Sequence, residues 1–335
     1  MFDGKRVVVV VPAYKEEALI GEVIKTMPEI VDRIVVVNDA SPDGTSRVVR
    51  ELDDPRVHLI DHETNTGVGG AVVTGYRAAL DDGGELMAVM AGDAQSDPDY
   101  LEDLLRPIAE GTCDMAKANR FFSGDSFAGM PRYRVFGNVM LSMANKFASG
   151  YWHLFDPQNG YVAVSREALL AIPLHRISAG YTLENSMLLE MNIVGGRVLD
   201  VPVPAIYGDE TSTIKLSRFV PSVLKMLIGG FWSRIIRKYV VWSFSPIALF
   251  LLSGLALVLV GLIAGAVAIY QTIGPPVATP GTVLMAVAPM LVGIQLLVSG
   301  LAMDVSESRS LTPEIDRFGG HATRRDAQRR QDGTP

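Results

Sequence analysis

Val7-Val8-Val9-Val10-Val11-Pro12-Ala13-Tyr14-Lys15-Glu16-Glu17 is the stretch on which the fold turns. Five β-branched residues in a row, ended by a proline, are too few to cross a bilayer and read as a strand buried on both faces. The polar group Tyr14, Glu16 and Glu17 then marks what lies beyond its carboxyl end. The same pattern recurs downstream. Residues 34–37 run into Asn38-Asp39-Ala40-Ser41-Pro42-Asp43-Gly44-Thr45, residues 57–60 lead to Asn65 and Gly67, and residues 86–90 lead to Asp93, Gln95 and Asp97. Helical stretches are expected at about 16–27, 45–53 and 71–82. Short apolar strands alternating with helices specify an α/β domain with a mostly parallel central sheet, and such sheets bind ligands beyond the carboxyl ends of their strands.

The string Asn65-Thr66-Gly67-Val68-Gly69-Gly70 is glycine-rich and opens a helix, but Val72 stands where a dinucleotide fingerprint needs its last glycine. The chain has no GxxxxGK[ST] string either. Hydride transfer and P-loop nucleotide hydrolysis both lose their sequence support. The carboxylates suit a nucleotide held by base and ribose, with a divalent ion bridging its phosphates.

Farther from the opening strand the composition changes. The 335 residues are 48% hydrophobic with a formal charge of −7, and neither property is evenly spread. Residues 239–303 contain no Asp, Glu, Lys or Arg, whereas residues 1–238 hold 24 basic against 31 acidic side chains. An acidic soluble part argues against nucleic acid as a partner. A lone cysteine, Cys113, excludes an internal disulfide and a cysteine-built metal site. The N-terminus lacks the small-residue cleavage site of a signal peptide, so a cytoplasmic redox compartment is expected.

The uncharged segment divides at 271–281, QTIGPPVATPG, into spans at about 244–270 and 282–303. At about 1.5 Å rise per residue each spans much or all of the roughly 30 Å hydrocarbon layer, so a two-helix transmembrane hairpin is expected. Gly254, Gly261, Gly265, Gly293 and Gly300 offer sites of close helix contact, and Pro289 a place for a kink. Before the hairpin, residues 215–241 carry Lys215, Arg218, Lys225, Arg234, Arg237 and Lys238 with no acid, interleaved with apolar residues at helical spacing. They read as amphipathic juxtamembrane helices whose basic groups reach lipid phosphates. Basic flanks and an uncharged connecting loop place both termini and the 1–214 domain on the cytoplasmic side of the plasma membrane. Residues 304–335 lack periodicity and are expected to be a disordered cytoplasmic tail.

Taken in order, VVVPAYKEE, NDASPDGT, NTGVGGAVVTGY and MAGDAQSDPDYLEDLL resemble the blocks of the family 2 glycosyltransferases with the GT-A fold, over residues 8–210. With the hairpin added, the chain is most similar to the polyprenyl-phosphate glycosyltransferases, the group of dolichyl-phosphate mannose synthases and bacterial polyprenyl-phosphate glucosyltransferases. The resemblance implies inverting transfer of a hexose from a nucleoside-diphosphate sugar to a polyprenyl phosphate with the help of Mg²⁺ or Mn²⁺. It implies that Pro12, Tyr14, Glu16 and Asp39 line the nucleotide pocket and that Asp93, with Gln95, stands on the metal side. Ala91 occupies the place of the first aspartate of the family's DxD motif. The resemblance further implies that Arg134 contacts the acceptor phosphate, with Arg132 and Arg120 in reserve. Asp156 would lie beside the reacting centre, and Glu184 would face the sugar. The family's arginine before a serine–lysine pair is absent from YGDETSTIKLSRF, which leaves Lys215 and Arg218 to supply charge to the nucleotide sugar. Two other readings stay open: a processive membrane polysaccharide synthase and a nonenzymatic adaptor with a degenerate transferase domain. A homo-oligomer through the catalytic domain or the membrane helices is also left open.

Overall fold

A computed structural model describes residues 1–121, 132–204, 216–272 and 279–313; for residues 132–136, 138, 216–220 and 272 it gives the backbone alone. Seven strands form one sheet in the order β3-β2-β1-β4-β6-β5-β7, with β1 at Val7–Ala13, β2 at Arg33–Asn38, β3 at Val57–Asp61, β4 at Leu86–Val89, β5 at Met115–Asn119, β6 at Val162–Ser165 and β7 at Val198–Pro202. Only β6 runs against its neighbours; β3, β2, β1 and β4 are mutually parallel, as are β5 and β7. The valine run shows why the sheet is covered twice. Val7, Val9 and Val11 sit in one apolar core and Val8 and Val10 in another, as the two-residue period of a strand requires.

Helices α1 (Ile20–Lys25), α2 (Thr45–Glu51), α3 (Val68–Asp81), α4 (Leu101–Ala109), α5 (Arg132–Ser149), α6 (Arg166–Ala171) and α7 (Leu183–Ile193) complete this part. Two expectations need correction. The opening strand does not stop before Pro12, which pairs with Val37. Pro12 accepts the Gly92 amide on its β4 side, beyond the last β4 pair, so its missing N–H would have faced no strand partner. The first helix begins at Ile20 rather than Glu16. Lys15 lies in the left-handed region with φ 64°, the Glu16 and Glu17 amides donate to Thr45 and Asp43 across the next loop, and Glu16 O opens only a turn, accepting from Leu19 N at 3.0 Å and Ile20 N at 2.9 Å, before the regular helix begins.

The described residues divide into two compact units, one within 1–230 and joined by 311–313, the other within 231–310. In the first, Leu311 is buried in the same core as Val8 and Val10, and Thr312 hydrogen-bonds His153. Helix α8 spans Leu216–Arg234 and runs into a π-helical segment, Ile235–Trp242. The second unit is dominated by α9 (Pro246–Thr272) and α10 (Pro280–Ser308), both long and apolar enough to cross a membrane. Only 28% and 11% of their most apolar stretches are buried, whereas the core helix of a soluble domain is mostly buried. A Cβ on Gly254 would meet Gly293 O at 2.9 Å, one on Gly261 would meet Ala286 O at 2.8 Å, and one on Gly300 would meet Leu251 at 2.9 Å; Gly265 makes no such approach.

Helix α10 does not end at residue 303 but continues through Asp304 and Glu307, and this changes the reading of the basic segment. Arg234 is fully buried and grips Asp304 with two bonds of 2.6 and 3.0 Å, while Tyr239 Oη donates to the same carboxylate at 2.6 Å. Lys238 lies 3.2 Å from Glu307. Arg234 and Lys238 therefore turn inward to acids of α10 rather than outward to lipid phosphates. The acids lie about 70 positions away in sequence, beyond the reach of any local pattern. The connecting loop at 273–278 and the tail from 314 lie outside the described residues.

Candidate active site

Register brings the first three loops together. Ala13 pairs with Asn38 and Val10 with Val89, so the chain leaves β1, β2 and β4 at one edge of the sheet. Backbone bonds tie these exits: the Asp39 amide donates to Ala13 O at 2.9 Å and the Gly92 amide to Pro12 O at 3.2 Å. Lys15, Ala40 and Ala94, one in each of these loops, are non-glycine residues with φ of 64°, 56° and 59°. Asp156 is a fourth, at 47°. Each such residue costs on the order of 1 kcal/mol, and their concentration in loops at strand ends marks a site that the rest of the fold holds in place.

Tyr14 is 44% exposed at the end of β1, with Lys15 Nζ 5.4 Å from the centre of its ring. Asp39 is buried and accepts from Thr66 N, Gly67 N and His62 Nδ1 at 2.8 Å and from Thr66 Oγ1 at 2.9 Å. Burial raises its pKa, but these donors outweigh burial and hold it below the ordinary aspartate range. Asp39 thus fixes the loop before α3 at the same edge where Tyr14 emerges. The glycine run is not a phosphate cradle. Gly69 N and Gly70 N donate to Ala179 O, and a Cβ on Gly69 would stand 1.9 Å from Ser178 O, so the 178–180 backbone fills the space a phosphate would need.

Asp93 lies partly buried in the loop after β4, its Oδ1 accepting the Gln95 amide at 3.0 Å, and Gln95 is exposed beside it. Glu16 is partly buried, with its Cγ 3.2 Å from where a Cβ on Gly92 would lie. Among the described residues no three His, Cys, Asp or Glu side chains converge to enclose a cation. One carboxylate without a cage suits Mg²⁺ or Mn²⁺, which keeps waters and takes substrate phosphate oxygens as further ligands. Ala91 adds nothing to that donor set.

A second group of charges joins from β5, the turn before β6, and α7. Arg120 grips Asp156 in a fork, Nε to Oδ2 at 2.7 Å and Nη2 to Oδ1 at 2.8 Å. Burial pushes the Asp156 pKa up, and the Arg120 bonds and charge, followed by Lys117, bring it below the usual range. The Asp156 carboxylate is thus held in its ionised form beside the Arg120 guanidinium. Glu184 behaves oppositely. It lies in the first turn of α7, and burial pushes it up to about 7, with Asp156 adding to the rise and Lys117 and Arg120 opposing it. Its Oε1 faces Gly160, where a Cβ would stand 3.3 Å away. Two carboxyls in one field, one held ionised and one titrating near neutrality, is how fixed charge and proton traffic are divided in a catalytic centre.

Beneath them lies a network the sequence did not announce. Lys117, 1% exposed, pairs with Asp200 at 2.9 Å and donates to Phe155 O at 2.5 Å; Asp200 also accepts from Phe155 N at 2.6 Å and Asn119 Nδ2 at 3.1 Å. Tyr161 Oη reaches across to Asp97 O at 3.0 Å. Arg132 and Arg134 belong to the first turns of α5 by backbone, and their side chains lie outside the described residues. Lys215 and the Arg218 side chain do so too.

Comparison with known proteins gives a family, several relatives and a fold. Residues 8–172 match the family model described as glycosyl transferase family 2. An undecaprenyl-phosphate mannosyltransferase of Micrococcus luteus is 32% identical over 205 residues, 59% of this chain and 82% of the relative. A UDP-N-acetylglucosamine–dolichyl-phosphate N-acetylglucosaminyltransferase of Methanococcus voltae is 28% identical over 61% of this chain and 87% of its own. Among solved structures, glucosyl-3-phosphoglycerate synthase of Mycobacterium tuberculosis, in complex with Mn²⁺, UDP-glucose and phosphoglyceric acid, superposes with a TM-score of 0.52 at 19% identity, over 69% of this chain and 80% of that one. That likeness shows the GT-A fold.

Proposed function

The chain belongs to glycosyl transferase family 2, and from that premise we propose that it moves a hexose from a nucleoside-diphosphate sugar to a polyprenyl phosphate, with inversion at the anomeric carbon. The observation that carries the reading is the union in one polypeptide of a polar sheet edge with two helices whose apolar surfaces are left bare by protein. A water-soluble donor suits the first and a lipid acceptor the second. The lipid-phosphate acceptors named for the relatives agree with it.

On this reading Tyr14 stacks on the base, and Pro12, Glu16 and Asp39 shape the pocket around base and ribose. Arg134 and Lys215, expected from the sequence to carry positive charge to the two phosphate groups, complete it. Asp93, with Gln95 beside it, would hold Mg²⁺ or Mn²⁺, which would supply positive charge to the leaving diphosphate. An oxygen of the lipid phosphate attacks the anomeric carbon in line, the bond from that carbon to the diphosphate oxygen breaks, and the nucleoside diphosphate leaves with the electron pair. A phosphate monoester has its second pKa near 6, so the nucleophile is largely dianionic at neutral pH and needs no strong base. Glu184, titrating at about 7, takes the residual proton from the monoprotonated acceptor, and when protonated donates to a sugar hydroxyl. Asp156 acts through Arg120, holding the guanidinium as a planar fork toward phosphate oxygens.

We place the catalytic unit and both termini on the cytoplasmic side, because the chain leaves for the hairpin after residue 230 and its return segment, Leu311 and Thr312, packs again within the catalytic unit. The reading is tested with the full chain in detergent, radiolabelled UDP- and GDP-hexoses and undecaprenyl phosphate. Label is expected in a chloroform-soluble product. Label that accumulates in an ethanol-precipitable polymer, or stays in the aqueous phase with every donor, overturns it.

A further inference from the structure

The Phe155 peptide is held from both sides by one ion pair, its lysine buried and its aspartate partly so. Its carbonyl accepts Lys117 Nζ at 2.5 Å, its amide donates to Asp200 Oδ2 at 2.6 Å, and Lys117 and Asp200 are 2.9 Å apart. The pair bridges neighbouring strands, with Lys117 opposite Asp200 in the parallel register of β5 and β7. The next residue, Asp156, occupies the left-handed region at φ 47°, which a non-glycine residue keeps only under external constraint. Its carboxylate in turn sets both guanidinium bonds of Arg120. Charge, strained backbone and guanidinium are thus linked in series: Lys117–Asp200 fixes Phe155, Phe155 fixes the Asp156 turn, and Asp156 orients Arg120.

A largely buried lysine–aspartate pair is a costly way to join two strands, since apolar side chains of similar volume would do so at least as well. What apolar groups could not do is clamp one peptide by both its N–H and its C=O. Asn119 Nδ2 adds a third donor to Asp200, and Asn119 Oδ1 accepts the Phe121 amide, so the chain on either side of Arg120 is tied to the same pair.

We infer that Lys117 and Asp200 are positioning residues of the transfer centre, which hold the 155–156 turn so that Arg120 meets the anionic substrate group already oriented. This rests on the proposed transfer reaction, and the experiment separates the two. Lys117→Met, Asp200→Leu and the double variant are compared with wild type by melting temperature, by hydrogen–deuterium exchange of the 153–160 segment, and by initial rates of lipid-linked sugar formation with donor and acceptor varied in turn. Each single variant leaves one charge unpaired and melts lower. The double variant regains most of the lost melting temperature because no charge remains. Exchange at 153–160 nevertheless stays faster than wild type in all three, and kcat stays about 30-fold down with donor KM within about twofold, the loss expected from a misplaced catalytic group. Recovery of kcat together with stability in the double variant overturns the inference, since a pair that matters only for packing is replaceable by packing. Unchanged exchange at 153–160 in every variant overturns it as well. A wild-type chain that transfers no sugar defeats the reading of the reaction, and faster exchange in the variants still upholds the clamp.

Discussion

Arg120–Asp156 and Arg234–Asp304 are the same chemical pair in opposite settings. Both are two-bond forks with distances between 2.6 and 3.0 Å. In the second unit both partners are sealed, at 0% and 2% exposure, on regular helical backbone, and Tyr239 completes the aspartate's bonding. In the first, the aspartate is sealed but sits on a left-handed turn, and the arginine is 36% exposed. One pair is closed on itself and serves the architecture of the basic segment and α10. The other presents its cation outward, and its neighbour Glu184 titrates near neutrality. Exposure and backbone strain, rather than the identity of the pair, separate the two settings.

The largest effect expected from this contrast is in the sealed pair. Asp304→Ala leaves Arg234 buried and unpaired and is expected to lower stability by about 3–5 kcal/mol, while Arg234→Met with Asp304→Leu restores most of it. Thermal unfolding in detergent reads both, and a cost below about 1 kcal/mol for Asp304→Ala would erase the distinction. Next in size is the donor side of the site. Asp93→Asn is expected to cut transfer at least about 100-fold with melting unchanged, and EDTA to abolish transfer until Mg²⁺ or Mn²⁺ is added. Full activity of that variant in chelator removes Asp93 from the metal. Arg120→Lys keeps the charge but loses the fork, so we expect transfer to fall about 30-fold with little change in melting, the reverse of the Asp304 outcome.

The smallest effect lies at Glu184 and has a sign. Its folded-state pKa of about 7 stands above the ordinary glutamate value, so the folded chain binds the proton more tightly than the unfolded one. Stability is then lost as pH rises from about 4.5 to 7 and is level above that. Glu184→Gln removes this penalty and should raise stability at pH 8 and not at pH 4. It should also flatten the neutral limb of the rate profile. A variant with the wild-type pH dependence of melting would return Glu184 to an ordinary surface role.

Four strands were legible because their apolar runs are unbroken and their polar groups come after them, as in the valines of β1 and the Asn38-Asp39 exit of β2. The strands β5, β6 and β7 were not. In MAKAN and VLDVP the alternation is interrupted by Lys117, Asn119 and Asp200, the side chains that meet across the sheet to clamp Phe155. Their partners are about 80 positions away, so no local spacing records the pairing. The same holds for Arg234 and Asp304: a run of basic residues before an apolar hairpin looks like a membrane-facing surface until the distant acid is brought to it. Asp39, Asp93, Asp156 and Glu184 could be proposed from the sequence as candidate residues of a site. Which carboxyl stays ionised and which titrates could not, because burial and the arginine beside them decide it.

The return of Leu311 to the core that holds Val8 and Val10 also sets an order of events during synthesis. Residues 1–230 leave the ribosome first, but this core lacks its last apolar side chain until roughly 80 more residues, most of them in the hairpin, have been made. At about 5–20 residues per second that interval is several seconds, during which the nascent catalytic unit carries an open seam. The transferase domain is therefore finished only after the membrane segment has been translated, and a chain cut short before residue 311 leaves its core incomplete.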